Sequence, residues 1–293
     1  MSTGRLENIK KFKRKIKFIR CDISKKGKWI NQFKGKCYVF HFASLADIVP
    51  SIQYPKKYYE SNVNGTYNVM DACKKFKVKK LIYTASSSCY GIPKKYPTNE
   101  NEKIDTQYPY ALTKYLGEQI CLHWGKLFGI DVISLRLFNV YGTRSRTSGT
   151  YGAMFGVFLT QKLNNKPLTV VGSGKQTRDF TYVTDVVSAL ISAAKSNLKN
   201  TILNVGSGKT ISVNKIVKIL DSKKIFIPKR PGEPMITFAD ITNIKKKLNW
   251  KPKIDIYEGV KRLLKDISYW KNAPLWNVKK IELATKDWFK YLK

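Results

Sequence analysis

Lys80-Leu81-Ile82-Tyr83-Thr84-Ala85-Ser86-Ser87-Ser88-Cys89-Tyr90-Gly91 is an apolar run that closes on three hydroxyls. A short apolar run bounded by small polar residues reads as a buried strand. The carboxyl end of such a strand is where an α/β sheet places its chemistry. Downstream, Tyr110 and Lys114 stand four residues apart in Tyr108-Pro109-Tyr110-Ala111-Leu112-Thr113-Lys114. Residues i and i+4 share one face of a helix, so the Lys114 ammonium is expected beside the Tyr110 phenol. A free phenol titrates near pH ~10. A fixed positive charge nearby lowers that value, and a phenolate nearer neutrality is a usable general base. The pattern predicts a proton-transfer site in which a serine hydroxyl holds the oxygen being deprotonated. Tyr-x-x-x-Lys alone says little in a chain with 17 Tyr and 46 Lys. The serine cluster ending the upstream apolar run makes it specific.

Outward from this stretch, strands and helices alternate. Residues 16–22 and 37–43 read as strands before it, and 131–137 as a strand after it. Residues 62–78 place Val63, Tyr67, Val69, Met70, Cys73 and Phe76 at helical spacing, and 110–128 supply the next helix. This alternation indicates right-handed βαβ units and a parallel sheet. Asp22, Ala43, Ser86 and Asn139 fall at expected strand ends, facing the ligand crevice. From about Arg144 the pattern changes to a Gly/Ser-rich hinge over 144–152. Loop-rich pieces around short strands follow at 168–174, 202–208 and 225–233, then helical periodicity at 240–250 and 256–270. The expected fold is α/β, a Rossmann-like doubly wound parallel sheet with a smaller C-terminal lobe.

Composition narrows the function classes. With 293 residues and 43% apolar content, the chain can bury a substantial core. Cys21, Cys37, Cys73, Cys89 and Cys121 form no C-x-x-C pair, and the histidines are only His41 and His123. No metal or disulfide framework is expected, and an odd thiol count suits a reducing, cytoplasmic setting. Both histidines read as packing or polar-satisfied residues rather than catalysts. No signal peptide or bilayer-length apolar stretch is read. The formal charge of +35 comes from 46 Lys and 9 Arg against 20 acids. Specific nucleic-acid readout leans on Arg forks, so the dispersed Lys are read as a solvated surface that also suits an anionic substrate.

The ordered pieces resemble the extended short-chain dehydrogenase/reductase superfamily, in particular its NAD-dependent nucleotide-sugar epimerases and dehydratases. They are Cys21-Asp22-Ile23, His41-Phe42-Ala43-Ser44, Asn62-Val63-Asn64-Gly65-Thr66, the serine cluster with Tyr90-Gly91, Tyr110 with Lys114, Arg136 to Gly142, Arg178-Asp179-Phe180 and Arg230-Pro231-Gly232-Glu233. The resemblance implies NAD as cofactor, a nucleotide-sugar as substrate and a homodimer paired through the helices at 62–78 and 110–128. It implies an NAD-binding Rossmann-like domain over 1–143, to which later segments return, and a mainly substrate-binding lobe over 144–293. Tyr110 would take the proton from the sugar 4-hydroxyl, with Ser86 as its hydroxyl partner, and Lys114 would also bind the nicotinamide ribose. Asp22 and Ile23 would cradle the adenine, and Phe42, Ala43, Ser44 and Thr84 would line the rest of the cofactor. Asn139, Arg178, Arg230 and Glu233 would surround the substrate diphosphate. Asp179 reads as structural.

Two departures from the family shape the expectation. The strand, Gly-x-x-Gly-x-x-Gly turn, helix and strand with which family members begin do not occur in this sequence. That turn normally sets backbone N–H groups on the cofactor pyrophosphate. A truncated or split gene product with weakened NAD binding is therefore expected, with residues 16–22 and 37–43 deprived of strand neighbours. Dehydratases of the family carry an acid just after the catalytic hydroxyl, and here Ser87 and Ser88 stand there. Plain 4-epimerization is favoured; the alternatives are a dehydratase or reductase and a non-catalytic remnant that binds nucleotide-sugar. The residue four after Glu233 is Thr237, small enough at the corresponding family position to admit an N-acetyl group on the sugar.

Overall fold

The computed structural model describes residues 4–145 and 153–292. In chain order its strands are β1 (Tyr38–His41), β2 (Lys80–Ser86), β3 (Asp131–Leu137), β4 (Val140–Tyr141), β5 (Leu168–Val171), β6 (Thr177–Arg178), β7 (Thr181–Tyr182), β8 (Thr201–Val205), β9 (Ile211–Ser212) and β10 (Lys224–Ile227). The α-helices are α1 (Ile48–Gln53), α2 (Pro55–Tyr59), α3 (Gly65–Lys75), α4 (Pro109–Phe128), α5 (Met154–Leu163), α6 (Val183–Lys195), α7 (Val213–Ile219), α8 (Thr242–Leu248), α9 (Ile256–Lys265) and α10 (Val278–Tyr291). The main sheet is parallel, in the order β1-β2-β3-β8. Among the described residues no helix is long and apolar enough to cross a membrane.

β2 is apolar on both faces because both faces are covered, as a central parallel strand requires. Leu81 and Ile82 are fully buried and point into different cores. On one face, α3 and α4 bring Val69, Met70, Cys73 and Cys121 onto Leu81, Tyr83 and Val132. On the other, Val186 and Leu190 of α6 and Ile244 of α8 close over Ile82, Ile133, Leu135 and Leu203. A third core gathers Tyr141, Phe155, Phe158, Leu168, Ile216, Val260, Leu263 and Trp270. There β10 and β5 form a parallel pair.

α4 carries the site, and its sequence fixes its ends. Pro109 sits in the first turn, where a missing N–H leaves nothing unpaired. Gly129, at φ 68°, adopts the left-handed conformation that ends the helix and donates its N–H to the Gly125 carbonyl. Gly117 lets the helix approach β2 closely, since a Cβ there would overlap the Tyr83 hydroxyl.

Several expectations are corrected. Residues 16–22 form no strand but an extended segment after a 3-10 helix at Leu6–Lys15. A strand needs a neighbour to pair its backbone, and among the described residues β1 has one only on its β2 side; Ile16, Phe18 and Ile19 stay exposed. Asp22 accordingly lies at no strand end. The 62–78 helix is reached through α2 and a π-helical turn at Glu60–Asn64. Tyr67, expected inward, is 44% exposed and packs edge-on against Trp124 instead. The short strand expected in the second half at 202–208 is β8, which crosses back to pair with β3 in the main sheet. The hinge at 144–152 lies, from residue 146 onward, outside the described residues.

Candidate active site

The loop after β2 and the N-terminus of α4 converge on one cleft. Ser86 ends β2, and its Oγ lies 2.7 Å from Ser88 Oγ and accepts the Ser88 N–H at 3.2 Å. This fixes the serine turn as a 3-10 helix, Ser87–Tyr90. The Ser86 hydroxyl lies near enough to the Tyr110 phenol to favour its ionised form, and Ser88 does the same for Tyr108. The Tyr108 and Tyr110 rings are stacked 6.4 Å apart. Tyr110 faces a cleft of about 690 Å³ with Ser44, Asn139, Arg178, Arg230 and Glu233 on its wall.

The electrostatics differ from the expectation drawn from the Tyr110–Lys114 spacing. Burial in the cleft raises the Tyr110 phenol above its ordinary value. The Ser86 hydroxyl works against that rise, while Asp47 and Cys89 add to it. Lys114 is one helical turn along as predicted, but its ammonium lies 4.4 Å from the centroid of the Tyr83 ring. Burial lowers Lys114 to about 8, opposed by Cys121 and Glu118. His41, at the end of β1, lies with Nε2 2.9 Å from the Thr66 hydroxyl. Burial, helped by the Lys114 charge, pushes it down to about 3, so it is a neutral packing residue. His123 is exposed.

A buried network supports the serine turn from behind. The Arg136 guanidinium donates to Glu118 through Nη2 at 2.6 Å and Nε at 3.0 Å, and Glu118 also accepts from Ser134 Oγ at 2.7 Å. Arg136 Nη1 reaches Tyr90 Oη at 3.0 Å, and Tyr90 donates to Asn204 at 2.8 Å. One ion pair thereby ties α4, β3, β8 and the serine turn together. On the other side, Asn62 receives the Leu45 N–H at 2.7 Å and donates to the Leu45 carbonyl and the Thr113 hydroxyl. This clamps the loop after β1 to α4. Asn62 belongs to the motif singled out in the sequence, but spacing alone gave it no role.

The cofactor-side candidates line up along adjacent strand ends. Thr84 donates its hydroxyl to the His41 carbonyl at 3.0 Å. Phe42, Ala43 and Ser44 continue from β1, and Phe42 is 55% exposed. The Asp22 carboxylate is exposed and accepts from Ser24 N and Oγ, which with Lys25 holds it below the usual range. Ile23 packs on the α2–α3 side, near Gly65.

The substrate-side candidates form a second cluster. Glu233 receives Arg178 Nη2 at 2.9 Å and lies 3.9 Å from Arg230 Nη1, so one carboxylate holds both guanidinium groups at the cleft. Asp179 is structural as expected: it accepts from Ser207 N and Oγ, Gly208 N and Ala239 N. Asn139 donates to Thr237 Oγ1 at 2.8 Å and to the Asp179 carbonyl. Thr237 Oγ1 in turn accepts the Asp179 N–H. Thr237 is not among the described residues lining the cleft, though Asn139, which it holds, is. Residue counting located the position, but its hydroxyl is turned toward Asn139.

Comparison with known proteins matches these features to a family. The model of the NAD dependent epimerase/dehydratase family matches residues 2–206. The chain is 35% identical over 273 residues to a "Putative UDP-glucose 4-epimerase" of Methanocaldococcus jannaschii, covering 90% of this chain and 87% of that one. It is also 35% identical over 268 residues to a "UDP-glucuronate 4-epimerase" of Thermodesulfobacterium geofontis, covering 88% and 81%. Among solved structures it superposes with TM-score 0.83 and 30% identity on a UDP-glucuronic acid 4-epimerase from Bacillus cereus in complex with UDP-glucuronic acid and NAD. That match spans 90% of this chain and 85% of the other, so little of the relative's length lies outside it. The parallel sheet, the serine turn and the extent of these matches agree: the chain belongs to the NAD dependent epimerase/dehydratase family.

Proposed function

We propose that the chain is an NAD-dependent UDP-sugar 4-epimerase working through a transient 4-keto sugar. The observation that carries this reading is Tyr110, with the Ser86 hydroxyl near it, at the wall of a cleft that also holds Arg178 and Arg230. In this reading Tyr110 accepts the proton of the sugar 4-hydroxyl and returns it, while Ser86 holds that oxygen. Burial favours the protonated phenol, so the Ser86 hydroxyl and nearby positive charge must offset it for Tyr110 to act as a base. Lys114, held at about 8, supplies a positive charge one helical turn from Tyr110. Arg178 and Arg230 take the diphosphate as charge-assisted forks, released from Glu233.

The residues at the β1 and β2 ends fit the nicotinamide half of NAD: a hydroxyl at Thr84, an ammonium at Lys114 and the short side chains of Ala43 and Ser44. Asp22, Ile23 and Phe42 would line the adenosine side. NAD, when bound, supplies a reversible hydride acceptor at sugar C4. The first part of the chain, 1–143, would carry the cofactor and 144–293 mainly the substrate. A homodimer through α3 and α4 and a cytoplasmic setting complete the proposal. Leu112, Leu127 and Phe128 on α4 are exposed, as such a pairing needs.

Incubating the protein with NAD and UDP-glucose, and separately UDP-glucuronate, while following the anomeric sugar signals by NMR, tests the reading. Interconversion of C4 epimers is expected for at least one substrate. Release of a 4-keto product would favour the dehydratase alternative, and no conversion of any UDP-hexose would overturn the proposal.

A further inference from the structure

The C-terminal residues return to the cleft. Beyond Trp270, Ala273, Pro274 and Trp276 lie on its wall. The Trp276 carbonyl accepts from Gln161 Nε2 at 2.8 Å, which anchors this segment to α5. α10 then starts on an Asn277 cap that accepts the Lys280 N–H at 2.9 Å, and it packs against α1. The C-terminal segment thus spans from the third core to the sheet side of the cleft.

α10 delivers Trp288, which is 3% exposed, to that cleft. The indole N–H donates to the Pro231 carbonyl at 2.7 Å. The ring lies 5.4 Å from the Arg230 guanidinium and 6.4 Å from the Tyr108 ring. One side chain therefore pins the backbone next to Arg230 and carries its guanidinium on an aromatic face, an attraction that grows when the pair is removed from water. The carboxylate neighbour, Glu233, is already engaged by Arg178 at 2.9 Å and stands 3.9 Å from Arg230.

We propose that Trp288 is a positioning residue that presents Arg230 to the diphosphate of the substrate, which makes the C-terminal helix part of the substrate site. This rests on the UDP-sugar reading of the cleft. The prediction is specific to the phosphates: Trp288 should matter for a ligand that carries them and not for the nucleoside alone.

The test measures UDP and uridine affinities by calorimetry on the full chain and on Trp288→Ala, Trp288→Phe, Arg230→Gln and the Trp288→Ala/Arg230→Gln double variant. In Trp288→Ala, UDP affinity is expected to fall at least about tenfold while uridine affinity stays within about twofold. Trp288→Phe keeps a ring beneath the guanidinium and should retain most of the UDP affinity. The double variant should bind UDP no worse than Arg230→Gln alone. Equal losses for UDP and uridine in both Trp288 variants would show that Trp288 only packs the helix, and unchanged UDP affinity in Trp288→Ala would overturn the proposal outright. A wild-type chain with no preference for UDP over uridine would instead overturn the UDP-sugar reading, whereas preference without turnover would leave the positioning role standing.

Discussion

Replacing Glu118 by Leu probes the network beneath the serine turn. Glu118 and Arg136 side chains are 1% and 3% exposed, and the carboxylate accepts three hydrogen bonds, two from the guanidinium and one from Ser134. Removing the carboxylate leaves a buried cation with no counter-charge, a change that costs about 3–5 kcal/mol. The stranded Ser134 hydroxyl adds to that cost. A domain of ordinary stability holds only about 5–15 kcal/mol in total, so the variant should lose a large share of its folded population on mild warming. Charge, not volume, is the cause, so the Glu118→Leu/Arg136→Met double variant should recover much of the loss, because apolar replacement of a whole buried pair is often near neutral. Urea unfolding of the wild type, both single variants and the double variant measures this at constant slope. A Glu118→Leu midpoint corresponding to a loss below about 1 kcal/mol, the range of ordinary surface substitutions, would refute the reasoning. So would a double variant weaker than the sum of its parts.

Tyr110→Phe is expected to abolish turnover without unfolding the chain, and Ser86→Ala to cost about 10²–10⁴-fold in kcat; a near-normal rate for Tyr110→Phe in the NMR assay would remove the proposed chemistry. His41 is held at about 3, below its ordinary 6.5, so the unfolded chain binds the extra proton first and stability should fall as pH drops from about 6.5 toward 3. His41→Gln should flatten that limb of an unfolding-versus-pH curve. Lys114 is also depressed, from 10.5 to about 8, so the cost of burying its ammonium should ease as pH rises between those values, and Lys114→Met should lose that rise. Light scattering at micromolar concentration is expected to show a dimer, and Leu127→Glu on the exposed face of α4 to yield monomers.

The sequence carried the sheet where burial alone decides. β2, β3 and α4 were legible because their apolar residues are inward on both faces or along one helical stripe. Residues 16–22 are apolar enough to read as a strand, but pairing is a property of two segments, and among the described residues no strand pairs with them. The return of a later segment was implied by the resemblance, but nothing local marked β8 as that segment, because its partner β3 lies far back in the chain. In the site, residue counting placed Ser86, Tyr110 and Lys114 together, but it could not give direction. The Lys114 ammonium turned onto Tyr83, and Thr237 turned onto Asn139. Trp288 carried no sequence signal, because a lone Trp near the end of an amphipathic helix reads as packing until the fold sets it beside Arg230.

The open side of β1 has a consequence for how the protein behaves as a colloid. Tyr38 and Phe40 on β1 and Phe42 just after it are 48%, 40% and 55% exposed, and among the described residues β1 has a hydrogen-bonding partner on one side only. Attraction between two such edges acts only on contact. The +35 formal charge repels at longer range, over a screening length of about 8 Å at physiological ionic strength and about 3 Å in molar salt. Salt therefore removes the barrier and leaves the adhesive strip intact. Solutions of this protein should turn cloudy as salt is added, and a purification that relies on high salt to strip bound polyanions should work against its own yield.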